Sequence, residues 1–279
     1  PTIEQAIHTL QNNATYTGTL VTPEQAHAMM RPSSVLVVVD TQRAQSTIDP
    51  ALIARASKLV LIDHHRRSAD YIDNATLNYL DARASSVSEM VSETIQYFDD
   101  TIRPTAFESS TLLAGITIDT KHFAFHVGAR TFEAAAYLRH HGADISMVKL
   151  MFQDDSKTYA DRVDTVKSAI ILYPGIAIST CREDAINAPL IAAQAADALV
   201  GIRGIEAAFV LGREANGEVS VSGRSLGQIN VQLILERLGG GGHMTMAGAQ
   251  LKGKSMEECT DLVKNTVLEY MKESGTDRR

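Results

Sequence analysis

The chain has 279 residues, of which 44% are hydrophobic and 21% charged, with a formal charge of −7. That composition suits two globular domains or one large α/β domain, and the acidic balance excludes a protein that coats long nucleic acid through a broad basic face. The two cysteines, Cys181 and Cys259, fit a reduced, cytoplasmic setting, and no apolar run nears the roughly 18 residues that would span a bilayer, so no membrane contact is expected of this stretch.

Residues 1–30 read as helical, with Thr2 as an N-cap and Thr22-Pro23-Glu24 opening a second short helix. Val35 to Val39 is a continuous β-branched run closed by Asp40, which predicts a buried parallel strand. Pro50 to Ser57 suits a crossover helix, and Leu59 to Ile62 a second strand that runs out into Asp63-His64-His65-Arg66-Arg67. Such a βαβ unit sets both acids at one sheet edge, where ligands collect. A carboxylate and neutral imidazoles suit a divalent transition metal, and the arginines suit a phosphate. A surface turn would explain the His-His pair taken alone. What shifts the balance is the recurrence of an acid directly after an apolar run.

Ser86 and Glu89 have capping-box spacing before a helix, either as an ordinary helix start or as an anion contact. The apolar segment Thr111 to Ile118 ends at Asp119, a third acid expected on the shared edge with Asp40, Asp63 and His64. His8, His27 and the pair His140-His141 read as structural, and no spacing makes His122 or His126 a ligand. Ile145 to Ile171 reads as one long solvated helical stretch. Beyond it, strands are expected at Ile176–Thr180, Ala207–Leu211 and Val219–Ser222, with a turn at Asn216-Gly217. Helices are expected at Asn230–Arg237 and Met256–Tyr270, then a loose polar tail from Ser274 to Arg279. Here Ser222-Gly-Arg224-Ser225-Leu-Gly follows a strand, and Gly239-Gly240-Gly241-Gly242-His243 follows a helix. Four glycines would let the backbone approach a ligand and offer its N–H groups, with Arg224 and His243 donating to phosphate oxygens. A glycine-terminated helix is the alternative, although one or two glycines suffice for that.

These motifs spell a family. Val-Val-Val-Asp40-Thr, Ile-Asp63-His64-His65, Gly-Ile-Thr-Ile-Asp119-Thr and the glycine run with His243 resemble the DHH–DHHA1 phosphoesterases. Within them, Asp-His-His-Arg-Arg, Ala-Ser85-Ser86-Val-Ser-Glu and Arg224-Ser225-Leu-Gly-x-x-Asn230-Val-Gln are similar to the GdpP-type cyclic di-AMP phosphodiesterases. The resemblance implies an α/β protein: a parallel-sheet DHH domain at 1–150, a helical linker at 151–170, and a smaller mixed α/β DHHA1 domain at 171–279. It places the active site in the cleft between them.

It implies Asp40 as a metal-bridging carboxylate, His64 and Asp119 as metal ligands, Asp63 as the group that orients an imidazole, and His65 on the scissile phosphate. Arg224, Ser225, Asn230, Gly240, Gly241, Gly242 and His243 would bind the rest of the substrate. The implied cofactor is Mn²⁺, two ions in a complete site. The implied partner is a cyclic dinucleotide or short oligonucleotide, cleaved to linear pApA in the cyclic di-AMP case, and the family allows a homodimer. The related nanoRNase and 3′-phosphoadenosine-phosphate phosphatase activities, and a nucleotide-binding module without catalysis, are the alternatives.

One family motif, His-x-x-x-Asp-x-Asp, is not found, and only 34 residues precede Val35. The expectation is therefore an N-terminally incomplete catalytic region of a parent that is itself membrane-anchored elsewhere. Such a piece would hold one metal or none and turn over weakly.

Overall fold

A computed structural model describes residues 3–274 apart from 69 and 100. Helix α1 (Glu4–Asn12) starts at Ile3 with no side-chain cap; the expected cap, Thr2, lies outside the described residues, as do 275–279 of the polar tail. Helix α2 (Pro23–Met29) opens with Pro23 and a reciprocal box, in which Thr22 Oγ1 accepts the Gln25 N–H and Gln25 Oε1 accepts the Thr22 N–H.

Strand β1 (Val35–Val39), helix α3 (Pro50–Arg55) and strand β2 (Lys58–Asp63) form the expected βαβ unit. The strands are parallel, with Val39 opposite Ile62, so Asp40 leaves β1 level with Asp63. A short strand the sequence does not announce, β3 (Leu77–Leu80), pairs in parallel with the other side of β2. The sheet order is β1-β2-β3. The expectation that β1 is buried does not hold: Val35, Val37 and Val39 are 55%, 49% and 50% exposed. As an edge strand, β1 buries one side only, where Val38 packs with Leu59, Leu61, Ile53 and Ile72.

Four helices complete the first unit: α4 (Val87–Phe98), α5 (Ala106–Asp119), α6 (Ala129–His140) and α7 (Ile145–Met151). The core that α5, α6 and α7 share holds Leu113, Ile116, Ala134, Leu138, Val148 and Met151. Asp119 is thus the last residue of a helix rather than a member of the sheet edge, which corrects the expectation of three acids on one edge. A capping box at Thr105 and Glu108 starts α5. Its apolar surface runs nearly all round, which hides helical periodicity in the sequence.

The single helical stretch expected over Ile145–Ile171 is three elements. Helix α7 ends at Met151, Asp155 caps α8 (Ser156–Lys167) by accepting the N–H groups of Lys157 and Thr158, and β4 (Ile170–Tyr173) follows. The chain divides into two compact units, Pro1–Gln153 and Asp154–Arg279.

The second unit continues with β5 (Ile176–Thr180), α9 (Ala188–Val200), β6 (Ala207–Arg213), β7 (Val219–Ser225), α10 (Val231–Glu236), β8 (Gly241–His243), β9 (Met246–Leu251) and α11 (Met256–Glu273). Its sheet has the order β4-β5-β6-β7-β9-β8. Only β5 and β6 pair in parallel, and α9 makes the crossover that parallel pairing requires. Alternation along the strands feeds two layers. Ile176, Ile178, Phe209, Leu211 and Val221 pack with residues of α10 and α11. Ala177, Ala208 and Val210 pack on the alanine-rich face of α9. Among the described residues, no helix is long and apolar enough to cross a membrane.

Candidate metal centre

Asp40 leaves β1 in the left-handed region, at φ +63°, a conformation that aspartate tolerates better than most residues. Its N–H still donates to the Ile62 carbonyl at 3.0 Å, which extends the β1–β2 ladder by one bond. Asp63, the last residue of β2, is fully buried, while beyond it His64 is largely buried and His65 exposed.

Three carboxylates and two imidazoles meet at this point. His64 Nε2 lies 3.5 Å from Asp40 Oδ1 and 4.0 Å from Asp119 Oδ2, the latter brought by the end of α5. The Ala84 carbonyl faces His64 Nδ1 at 3.4 Å, from the turn that precedes α4. Asp63 Oδ1 sits 2.7 Å from His65 Nδ1, within hydrogen-bond distance. One ligand atom each from Asp40, His64 and His65 lie within 4.8 Å of one another. Oxygen and nitrogen donors spaced a few ångströms apart fit a single divalent cation bonded at about 2.0–2.2 Å. Burial pushes the Asp119 carboxyl above its ordinary range; the neighbouring His64 opposes this, Asp40 adds to it, and His65 opposes it. A cation would relieve both the desolvation and the repulsion between the acids.

Two features here escape sequence reasoning. His65, expected on a phosphate, falls within the ligand-distance group. Gln42 is 2% exposed and contacts Asp63, and only its burial marks it out. An open pocket of about 470 Å³ adjoins the cluster, with Thr41, Arg43, Ser46 and Arg66 in its wall. Of the two arginines on the pocket, Arg43 is paired with Asp70, and Arg66 has no such side-chain contact among the described residues.

Ser86 caps α4 by accepting the Glu89 N–H, but the box is not reciprocal. The buried Glu89 carboxylate instead accepts from Ser85 Oγ at 2.6 Å and Thr131 Oγ1 at 2.7 Å.

In the second unit, Arg224 and Ser225 lie inside β7 rather than after it. Arg224 Nε donates to Asp197 Oδ1 at 3.1 Å, and Ser225 Oγ donates to the Met244 carbonyl at 3.4 Å. Asn230 caps α10, accepting from Gln232 and Leu233. Arg224 pairs with Met246, and Met246 with His243. Arg224 and His243 therefore share one rung and one face of the sheet, two strands or about 10 Å apart. The glycine run is partly accounted for by packing. A Cβ on Gly240 would meet the Gly248 carbonyl oxygen at 2.2 Å, and one on Gly242 would meet Ala247 Cα at 2.5 Å. Those two glycines let β8 close on β9; Gly241 faces open space.

Residues 3–116 match the family model for the DHH family, N-terminal domain, and residues 174–273 match that for the DHHA1 domain. The cyclic-di-AMP phosphodiesterase GdpP of Geobacillus thermodenitrificans is 40% identical over 250 residues, covering 90% of this chain and 38% of that protein. The cyclic-di-AMP phosphodiesterase PdeA of Listeria monocytogenes is 37% identical over 272 residues, 98% of this chain and 41% of that protein. The chain thus spans about two fifths of the length of these curated relatives. Among solved structures, an exopolyphosphatase-related protein from Bacteroides fragilis has the same fold, with a TM-score of 0.74 at 16% identity over 85% of this chain and 71% of that one.

Proposed function

Because this chain belongs to the DHH family and carries a DHHA1 domain, we propose that it is the catalytic region of a metal-dependent phosphodiesterase that hydrolyses cyclic di-AMP to linear pApA. The observation that carries the reading is the convergence of Asp40, His64 and His65, with Asp119 beside His64. The substrate class is supported by the relatives at 37–40% identity over nearly all of the chain.

Asp40, His64 and Asp119 would hold the ion, with His65 in reach of it, and Mn²⁺ is the proposed metal for this oxygen and nitrogen donor set. A bound divalent cation supplies positive charge to phosphodiester oxygens and acidity to a water molecule. The remaining work falls to the chain itself. Asp63 accepts a hydrogen bond from His65 Nδ1, which leaves Nε2 as the free ring nitrogen. Arg66 offers a planar fork of donors that matches a phosphate. Arg224, Ser225, Asn230, Gly241 and His243 are proposed to bind the nucleotide portion, with Arg224 held in place by Asp197. The described donors suffice for one ion, so turnover by this chain alone is expected to be slow.

The test is incubation of the chain with cyclic di-AMP and Mn²⁺ or EDTA, with products resolved by chromatography. Linear pApA should form with Mn²⁺ and not with chelator, and Asp40→Ala, His64→Ala and Asp119→Ala should each lower the rate by about 100-fold or more. Undiminished cleavage in EDTA would remove the metal mechanism. Faster cleavage of linear dinucleotides or short RNA would reassign the substrate, and tight cyclic di-AMP binding without any product would make this a binding module.

A further inference from the structure

Gln42 follows Asp40 by two residues, yet its side chain points inward and is 2% exposed. Its carboxamide is saturated with partners. The two N–H groups of Nε2 are shared among three acceptors, Asp63 Oδ2 at 3.1 Å, the His65 carbonyl at 3.2 Å and the Arg66 carbonyl at 3.1 Å. Oε1 accepts the Ser68 N–H at 3.2 Å, and the Gln42 backbone carbonyl accepts the Ile72 N–H at 2.8 Å. Gln42, in the loop after β1, thereby ties by its side chain to Asp63, His65, Arg66 and Ser68 and by its backbone to Ile72. Asp63 is fully buried and divides its oxygens: Oδ2 faces Gln42, and Oδ1 accepts from His65 Nδ1 and from the His65 N–H at 3.3 Å.

We propose that Gln42 is a positioning residue of the metal centre: its carboxamide fixes Asp63, and through Asp63 holds the His65 imidazole with its proton on Nδ1 and its Nε2 free. The residue type follows from the bonds required. A lysine or arginine would satisfy the acceptors but leave the partly buried Ser68 N–H without this partner, and a glutamate would set a second negative charge against Asp63. Asparagine is one methylene too short to span both loops. The centre would lose its geometry before the fold loses its core, because none of these bonds joins the helices that pack around Leu113 and Leu138.

The inference rests on reading this cluster as a metal centre, but its first readout needs neither metal nor substrate. Long-range proton–nitrogen correlation spectra of the full ¹⁵N-labelled chain report which ring nitrogen of each histidine carries the proton. The wild type should show His65 as a single Nδ1–H tautomer. Gln42→Met, and separately Gln42→Glu, which keeps an acceptor for Ser68, should turn His65 into a mixture. His27, paired with Asp49 and Arg55, should not change. Titration with Mn²⁺ followed by electron paramagnetic resonance should show affinity falling about 10–100-fold in both variants. A His65 tautomer that stays as in the wild type in both variants overturns the proposal. So does unfolding of both, judged by circular dichroism, which would make Gln42 a residue of the fold rather than of the centre. A wild-type chain that neither binds Mn²⁺ nor cleaves would instead sink the functional reading, with the tautomer signature still deciding what Gln42 does.

Discussion

At Gly240 and Gly242 the backbone of β9 comes too close for any side chain, and Gly242 also sits at φ +145°. Gly240→Ala and Gly242→Ala should each lower stability by about 1–3 kcal/mol in urea denaturation, whereas Gly241→Ala should stay within about 0.5 kcal/mol. If Gly241 contributes its N–H to a ligand, the alanine variant would keep its fold and weaken binding only modestly. Cys181 supplies a second test. Burial pushes its thiol up to about 11, against about 8.5 for a free cysteine. The stability owed to the neutral thiol is fully present below the unfolded value and is lost as pH rises through about 11. At pH 8 the native chain should react slowly with iodoacetamide at this position, as peptide mapping would show, and quickly once unfolded. Legibility at this scale follows from where a side chain sits relative to an apolar run. Asp40, Asp63 and Asp119 stand at the ends of such runs and can be picked out in the sequence as candidates. Gln42 is an ordinary polar residue until its burial and its four side-chain partners are seen.

The N-terminus of α6 ties down the elements behind the centre. Arg130 donates through Nε and Nη2 to the two oxygens of Glu93, each at 2.7 Å, and through Nη1 to Asp81 at 2.7 Å. The Asp81 N–H in turn donates to the Asp63 carbonyl at 3.1 Å. One guanidinium thus joins β3, α4 and α6 to the exit of β2. Arg130→Ala should cost about 1.5–3 kcal/mol in chemical denaturation, the range for hydrogen bonds to charged groups, with surface screening favouring the lower figure. Arg83 first, and Arg130 after it, hold the Asp81 carboxyl well below the usual carboxylate range. Its contribution is present above the unfolded value of about 3.9 and fades as pH falls below it. The stability gap between wild type and Asp81→Asn should therefore narrow as acid is added below pH 4, and a gap that widens would refute the assignment. Elements with strong local signals, such as β5 with its apolar run and α2 with its cap, are legible in the sequence. Strands β8 and β9 are not, since glycine and alanine carry little strand propensity and their pairing comes from register with β7. The break between α7 and α8 is hidden for a related reason: Asp155 looks like one more charge on a solvated helix, although it is a cap.

Each unit carries its own core, built in the second from two layers either side of one sheet. A fragment of residues 154–279, whose 126 residues are an ordinary domain size, should fold by itself and melt in a single cooperative transition by circular dichroism. A featureless melt would mean that its stability depends on the first unit. The succession of a parallel-sheet unit and a mixed-sheet unit is legible from the order of apolar runs and turns. The edge position of β1 is not, because a run of valines reads the same whether one or both of its sides are covered. Val35, Val37 and Val39 form an exposed aliphatic row on a strand that, among the described residues, has no neighbour on its outer side, the arrangement that invites like chains to stick together. Static light scattering of the purified chain should rise faster than its concentration. Replacing Val35 and Val37 by threonine, which keeps the β-branched shape and wets the surface, should flatten that rise while the melting temperature stays nearly constant.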